Sequence, residues 1–128
     1  MLALSKSIGN PLNEASSLCN IGLIYSDKGK LDDALNYYQQ TLAINKALGN
    51  PLIQASALNN IGNVCKRTGK LDLALNCCQQ ALIIFKTIGA GIQVRKTEIS
   101  IKEINQKKLQ KNRVNTYLGY KHLHAFES

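Results

Sequence analysis

Residues 55–89 read ASALNNIGNVCKRTGKLDLALNCCQQALIIFKTIG, and residues 15–49 read ASSLCNIGLIYSDKGKLDDALNYYQQTLAINKALG. Set one above the other, they agree at Leu18/Leu58, Asn20/Asn60, Ile21/Ile61 and Gly22/Gly62. Agreement resumes over Gly29–Asp32 and Gly69–Asp72, then at Ala34/Ala74, Leu35/Leu75, Gln39/Gln79 and Gln40/Gln80. The offset is forty residues throughout, with no slip. A fixed period of about 20–50 residues marks a stacked-repeat architecture, in which each unit buries its apolar face only against its neighbours. Such an array presents a surface more readily than a buried constellation of reactive groups.

Each copy reads as two helices. In 51–67 the apolar or small positions Leu52, Ala55, Leu58, Ile61, Gly62 and Cys65 recur at steps of three and four, which predicts one buried helical face. Asn10-Pro11 and Asn50-Pro51 are start signals, because asparagine caps free amides and proline at the first helical position gives up no useful donor. Gly29 and Gly69 stop these helices, and Gly49 and Gly89 stop the ones that follow. Asp32 and Asp72 fall in the first turn of the second helix, facing the positive end of its dipole. That helix is expected to bury Leu31, Ala34, Leu35, Tyr38, Leu42 and Ile44 in one copy and Leu71, Ala74, Leu75, Cys78, Leu82 and Ile84 in the other. Gly22 and Gly62 sit mid-helix, where glycine costs about 1 kcal/mol relative to alanine, so a close helix crossing against Ala34 and Ala74 is expected to repay it.

The pattern extends outward from the two copies. Leu2-Ala3, Lys6 and Gly9–Leu12 match Leu42-Ala43, Lys46 and Gly49–Leu52, so 1–10 is read as the remnant of a preceding second helix, followed by repeats over 11–50 and 51–90. After Gly89 it decays: Lys102 takes the place of the packing glycine, and no Gly-Lys-Leu-Asp returns. Ile92, Ile99, Ile101, Ile104 and Leu109 keep a rough helical spacing. A basic C-terminal capping helix is predicted over 91–111, with Lys102, Lys107, Lys108 and Lys111 facing solvent, and 112–128 is read as an irregular tail.

Composition narrows the function classes. The net charge of +8 is uneven. Residues 1–90 carry eight Lys/Arg against five Asp/Glu, and 91–128 carry eight against three. No run approaches the ~18–20 apolar residues of a membrane span, the opening residues lack a signal-peptide pattern, and a cytoplasmic location is expected. The four cysteines form no Cys-x-x-Cys pair, and Cys77-Cys78 replaces Tyr37-Tyr38, which is how a space-filling residue behaves. Two histidines, His122 and His124, are too few for a metal site. Neither a cofactor nor a catalytic residue is expected.

Position by position the units resemble tetratricopeptide repeats. Gly22 and Gly62 hold the small position after Ile21 and Ile61, Tyr25 and Cys65 the aromatic slot, Gly29 and Gly69 the inter-helix glycine, and Ala34 and Ala74 the small crossing residue. Tyr38 and Cys78 hold the later aromatic, Thr41 and Ala81 the second small position, and Leu18 and Leu58 replace the usual tryptophan. The common unit has 34 residues; a spacing of forty, with Asn20 and Asn60 two residues before the glycine, resembles the longer variant of kinesin light chains. The resemblance implies an all-α fold, an α-solenoid of antiparallel helix pairs in a TPR-like superhelix. It also implies a protein-interaction scaffold or adaptor, not an enzyme, that holds a peptide or partner helix in a concave groove lined by the first helices. Carried over, the groove residues are Ser16, Cys19, Asn20, Leu23, Ser56, Asn59, Asn60, Asn63, Lys66 and Arg67. Asn20 and Asn60 lead, since an amide offers both donor and acceptor to an extended backbone; their competing role is to tie neighbouring helices together.

Two other readings stand beside this one. The basic C-terminal segment, with Arg95, Lys96, Lys102, Lys107, Lys108, Lys111 and Arg113, suits nucleic acid or an acidic partner, although no recognition motif accompanies it and the sequence weighs against nucleic acid. Homo-oligomerisation through exposed repeat ends is the other.

Overall fold

The computed structural model describes residues 10–124, and the sequence match of residues 2–9 to 42–49 lies outside them. Five helices follow in order: α1 Pro11–Asp27, α2 Leu31–Leu48, α3 Pro51–Arg67, α4 Leu71–Thr87 and α5 Gly91–His124. No strand occurs among the described residues. α1 packs on α2 and α3 on α4 as pairs, α2 packs on α3 between pairs, and α5 lies on α4 while touching α3. The chain is an all-α stack of antiparallel helix pairs.

The ends of the helices follow the local chemistry. Asn10 Oδ1 accepts from Asn13 N at 3.3 Å and Asn50 Oδ1 from Ile53 N at 3.1 Å, each ahead of a proline. Gly29, Gly69 and Gly89 take positive φ, and the residue after each donates back to Tyr25, Cys65 and Phe85, all at 2.9 Å. The orphan carbonyls of three helix ends are thereby satisfied in the same way. Asp32 and Asp72 stand in first turns as expected, and Asp33 stands beside Asp32.

Packing departs from the sequence expectation in one instructive way. The face containing Ala55, Leu58, Gly62 and Cys65 does pack against α4, but Leu52 is exposed and Ile53 is buried in its place. α3 has a second buried face, Ile53, Ala57 and Val64, and Val64 lies with Ala34 and Tyr38 of the preceding pair. An interior helix of a stack is covered from two sides, so one period cannot describe it. In the second helices, Ala34, Tyr38, Ala74 and Cys78 are buried, while Leu31, Leu35, Leu42, Ile44, Leu71, Leu75, Leu82 and Ile84 are only half-buried. The deepest positions also include Thr41/Ala81 and Asn45/Phe85. Phe85 anchors the cluster of Ala55, Leu58 and Ala81. Its counterpart Asn45 instead fastens the next turn: its amide donates to Asn50 O at 3.0 Å and Gln54 Oε1 at 3.3 Å, and its oxygen accepts from Asn50 N at 3.1 Å.

α5 caps the stack. Thr97, Ser100 and Ile104 are buried at the positions forty residues after Ala57 and Val64, which are buried, and Asn60, which is half-buried. The face that buries Ala55, Leu58, Gly62 and Cys65 in α3 becomes Arg95, Glu98, Lys102 and Asn105, all exposed. A polar outer face of this kind is what closes a repeat array.

Two expectations for this region are corrected. Residues 112–124 are helical, not irregular. The stretch contains no proline and a single glycine, and propagation adds a hydrogen bond per residue once a helix is nucleated. Its sequence lacks an apolar period, and residues 112–123 are exposed throughout. Lys108 does not simply face solvent either; it is half-buried and pairs with Asp72 at 2.7 Å. Ile92, Ile99 and Leu109 are exposed, so Ile104, with Ile101 half-buried, supplies the apolar anchor of α5. Residues 125–128 lie outside the described part.

Candidate interaction site

The first helices α1, α3 and α5 lie side by side because each second helix returns the chain to where a new first helix begins. α3 is backed by α4 through Ala55, Leu58, Gly62 and Cys65 and flanked by α1 through Asn60 and Arg67. On its other flank it meets α5 through Lys66. At about 100° per residue, the side left over presents Leu52, Ser56 and Asn63. Its counterparts are Leu12, Ser16 and Leu23 on α1 and Ile92, Lys96 and Glu103 on α5. Leu12, Leu52 and Ile92 therefore share one register position, and they are 44%, 46% and 59% exposed. An apolar row crosses the open face of three helices.

The structure sorts the sequence-predicted residues into groups. Ser16, Leu23, Ser56 and Asn63 lie on this open face, with Ser56 and Asn63 half-buried. Asn60 sits in the α1–α3 seam, where its amide donates to Cys19 Sγ at 3.4 Å. Burial raises the Cys19 thiol pKa, and that hydrogen bond partly offsets the effect. Asn59 turns toward its own second helix, and its Oδ1 accepts from Cys78 Sγ at 3.8 Å. Asn20, the counterpart of Asn60, is exposed on the side of α1 that faces away from α3.

The two cations predicted for the groove are engaged at its edges. Arg67 donates to Ser26 O at 2.8 Å and Ser26 Oγ at 3.2 Å, placing a cation at the negative end of α1. Lys66 pairs with Glu103 at 3.0 Å and holds α5 to α3. Asn63 Oδ1 is buried and accepts no hydrogen bond among the described residues. Sequence reasoning missed the row Leu12–Leu52–Ile92, although the forty-residue spacing of three apolar residues was there to find it; Leu52 was drawn into the buried face because it also fits a step of three from Ala55.

Among the described residues, no cluster of three or more His, Cys, Asp or Glu is arranged to hold a metal ion, and no helix is long and apolar enough to cross a membrane. The cysteines are free thiols, and burial pushes the Cys78 thiol up to about 11, the opposite of an activated nucleophile.

Among curated proteins, no relative matches the chain. A family model for the tetratricopeptide repeat matches residues 15–47 and 55–87, the same two units that α1–α2 and α3–α4 build. With that match laid over two helix pairs stacked in register, the chain belongs to the tetratricopeptide repeat family.

Proposed function

We propose that this chain is an adaptor that holds a peptide or partner helix across the open face of α1, α3 and α5, and that it has no reaction of its own. Tetratricopeptide repeats are generally protein–protein interaction modules and typically non-enzymatic scaffolds. The observation that supports this face in particular is the exposed row Leu12, Leu52 and Ile92, set in a surface of hydroxyl and amide groups. Side-by-side helices are about 8–10 Å apart. An extended chain rises about 3.3 Å per residue and a helix about 5.4 Å per turn, so every third residue of one, or every second turn of the other, meets the row. Ser16, Ser56 and Asn63, with Asn20 and Asn60 at the flank, offer polar contacts to the bound backbone. The Asn63 oxygen is the acceptor with most to gain, since leaving it unpaired in a buried place costs about 1–3 kcal/mol.

Affinity capture tests the assignment. Ser16→Arg with Ser56→Arg blocks the open face, whereas Gln40→Arg with Gln80→Arg alters exposed positions of the second helices. Loss of partners with the first pair and retention with the second is expected. Retention with the first pair and loss with the second removes the open face from consideration.

A further inference from the structure

The C-terminal half of α5 is the one large feature that neither the stack nor the open face explains. α5 is 34 residues long, which at 1.5 Å per residue is about 51 Å. From Leu109 to Leu123 every side chain is exposed, although Lys111 and Asn112 still border the α3–α4 turn. Residues 104–124 contain Lys107, Lys108, Lys111, Arg113 and Lys121 and no Asp or Glu. Lys108 is neutralised by Asp72, and Lys121 lies 5.8 Å over the Tyr117 ring. A helical segment that is exposed over 109–123 and carries only positive charge suits an anionic partner.

Where the charges sit decides which anion fits. Lys111 and Arg113 are two residues apart, about 200° around the axis, and so point to opposite sides. Lys107 falls about 40° from Lys111, and Lys121 about 80° from both Lys111 and Arg113, so Lys111 and Arg113 flank the helix and the other two cations lie on the arc between them. Leu109, Val114, Tyr117, Leu118 and Leu123 are spread around it rather than gathered on one side. A helix lying in a membrane interface needs its apolar residues segregated, and a second copy of this helix would bring like charges together. The major groove of B-form DNA is about 12 Å wide and admits a helix between two phosphate walls. Gln106 and Gln110, exposed on that same arc, are of the type that pairs with adenine edges there. We propose that the free end of α5 docks in the major groove of duplex DNA, with Lys107, Lys111, Arg113 and Lys121 neutralising phosphates on both walls. The continuous helix is what makes this reading possible; an irregular tail presents no such geometry.

The test is fluorescence anisotropy of the full chain with a labelled duplex of about 20 base pairs, titrated between about 50 and 200 mM salt. Four phosphate contacts predict a slope of log affinity against log salt of about −3.6, a loss of about 100-fold across that range. The triple variant Lys107→Gln, Lys111→Gln and Arg113→Gln should bring the slope close to −1. Lys28→Gln with Lys86→Gln, on exposed body positions, should leave it unchanged. All five positions are exposed, so helicity by circular dichroism stays at the parental value. No anisotropy change at the lower salt overturns the proposal, as does a triple variant that binds like the parent. Tighter binding to single strands, to polyglutamate or to anionic vesicles than to the duplex overturns it equally.

Discussion

Gly62 shows how closely a single atom is controlled in this stack. A Cβ added there would lie 2.5 Å from Cys78 Sγ and 3.1 Å from the Ala74 carbonyl oxygen. Gly22 is held off in the same way by the buried Tyr38 ring, at 2.6 Å. Glycine is retained because α3 and α4, like α1 and α2, touch where a methyl group has no room. Gly62→Ala should therefore lower stability by about 1–3 kcal/mol, against the gain of about 1 kcal/mol that helix propensity alone predicts. Urea unfolding followed by circular dichroism measures it. Gly119→Ala, where the added Cβ meets nothing within 4 Å, is the control and should not destabilise.

Asn63→Leu should move stability and function in opposite directions. It removes a buried unpaired oxygen, so stability rises by about 1 kcal/mol, while partner capture weakens. Thermal unfolding and affinity capture on the same preparation report both. Asp72 gives a pH signature. The hydrogen bond and charge of Lys108 lower its pKa below 3.8, with a smaller contribution from Lys111. A folded-state pKa below the unfolded one means the stabilisation is present above the unfolded value and disappears as pH falls through the folded one. Asp72 is highly exposed, so salt screens the pair. In an NMR titration, Lys108→Gln should return the Asp72 carboxyl toward its ordinary value, and added salt should do so in part.

At the scale of the element, α5 works as two parts. Residues 91–108 seal the second pair: Ile104 is fully buried beside Cys65 and Cys78, and Val94 packs at the Phe85 cluster. Residues 113–123 are exposed. Truncation after Asn112 should leave the unfolding midpoint of the body unchanged, whereas Ile104→Ala should cost about 2–5 kcal/mol. Denaturant curves of the two variants compare them directly.

The same division explains what was legible in the sequence. The helix ends were readable because Asn-Pro and glycine act locally, and the crossing glycines because they recur. Leu52 against Ile53 was not, since two buried faces on α3 overlap in one periodic pattern. Phe85 escaped notice because its counterpart is Asn45, a polar residue buried for its hydrogen bonds to Asn50 and Gln54 rather than for its area. The helix over 112–124 was not legible because periodicity registers burial, and residues 112–123 are all exposed. For the candidate site, the sequence pointed to the first helices. It could not separate Ser16, Leu23, Ser56 and Asn63 on the open face from Lys66 and Arg67, whose partners Glu103 and Ser26 are supplied by neighbouring helices.

For the whole molecule, forty-residue spacing turns into adjacency. Residues at equal register on α1, α3 and α5 come to lie in rows, so one apolar residue repeated three times becomes an exposed strip across three helices. The second helices spend their inner side on the stack and present Gln39, Gln40, Gln79, Gln80 and Ile83 outward. The molecule thus has two broad sides of different character, and the proposed partner site lies on one of them. Site-specific photo-cross-linking separates them most directly: a photoreactive residue is placed at Ser56 on the open face or at Ile83, 66% exposed on the outer side. Covalent capture of the partner from position 56 and not from position 83 is the predicted result; capture from 83 with none from 56 would contradict it.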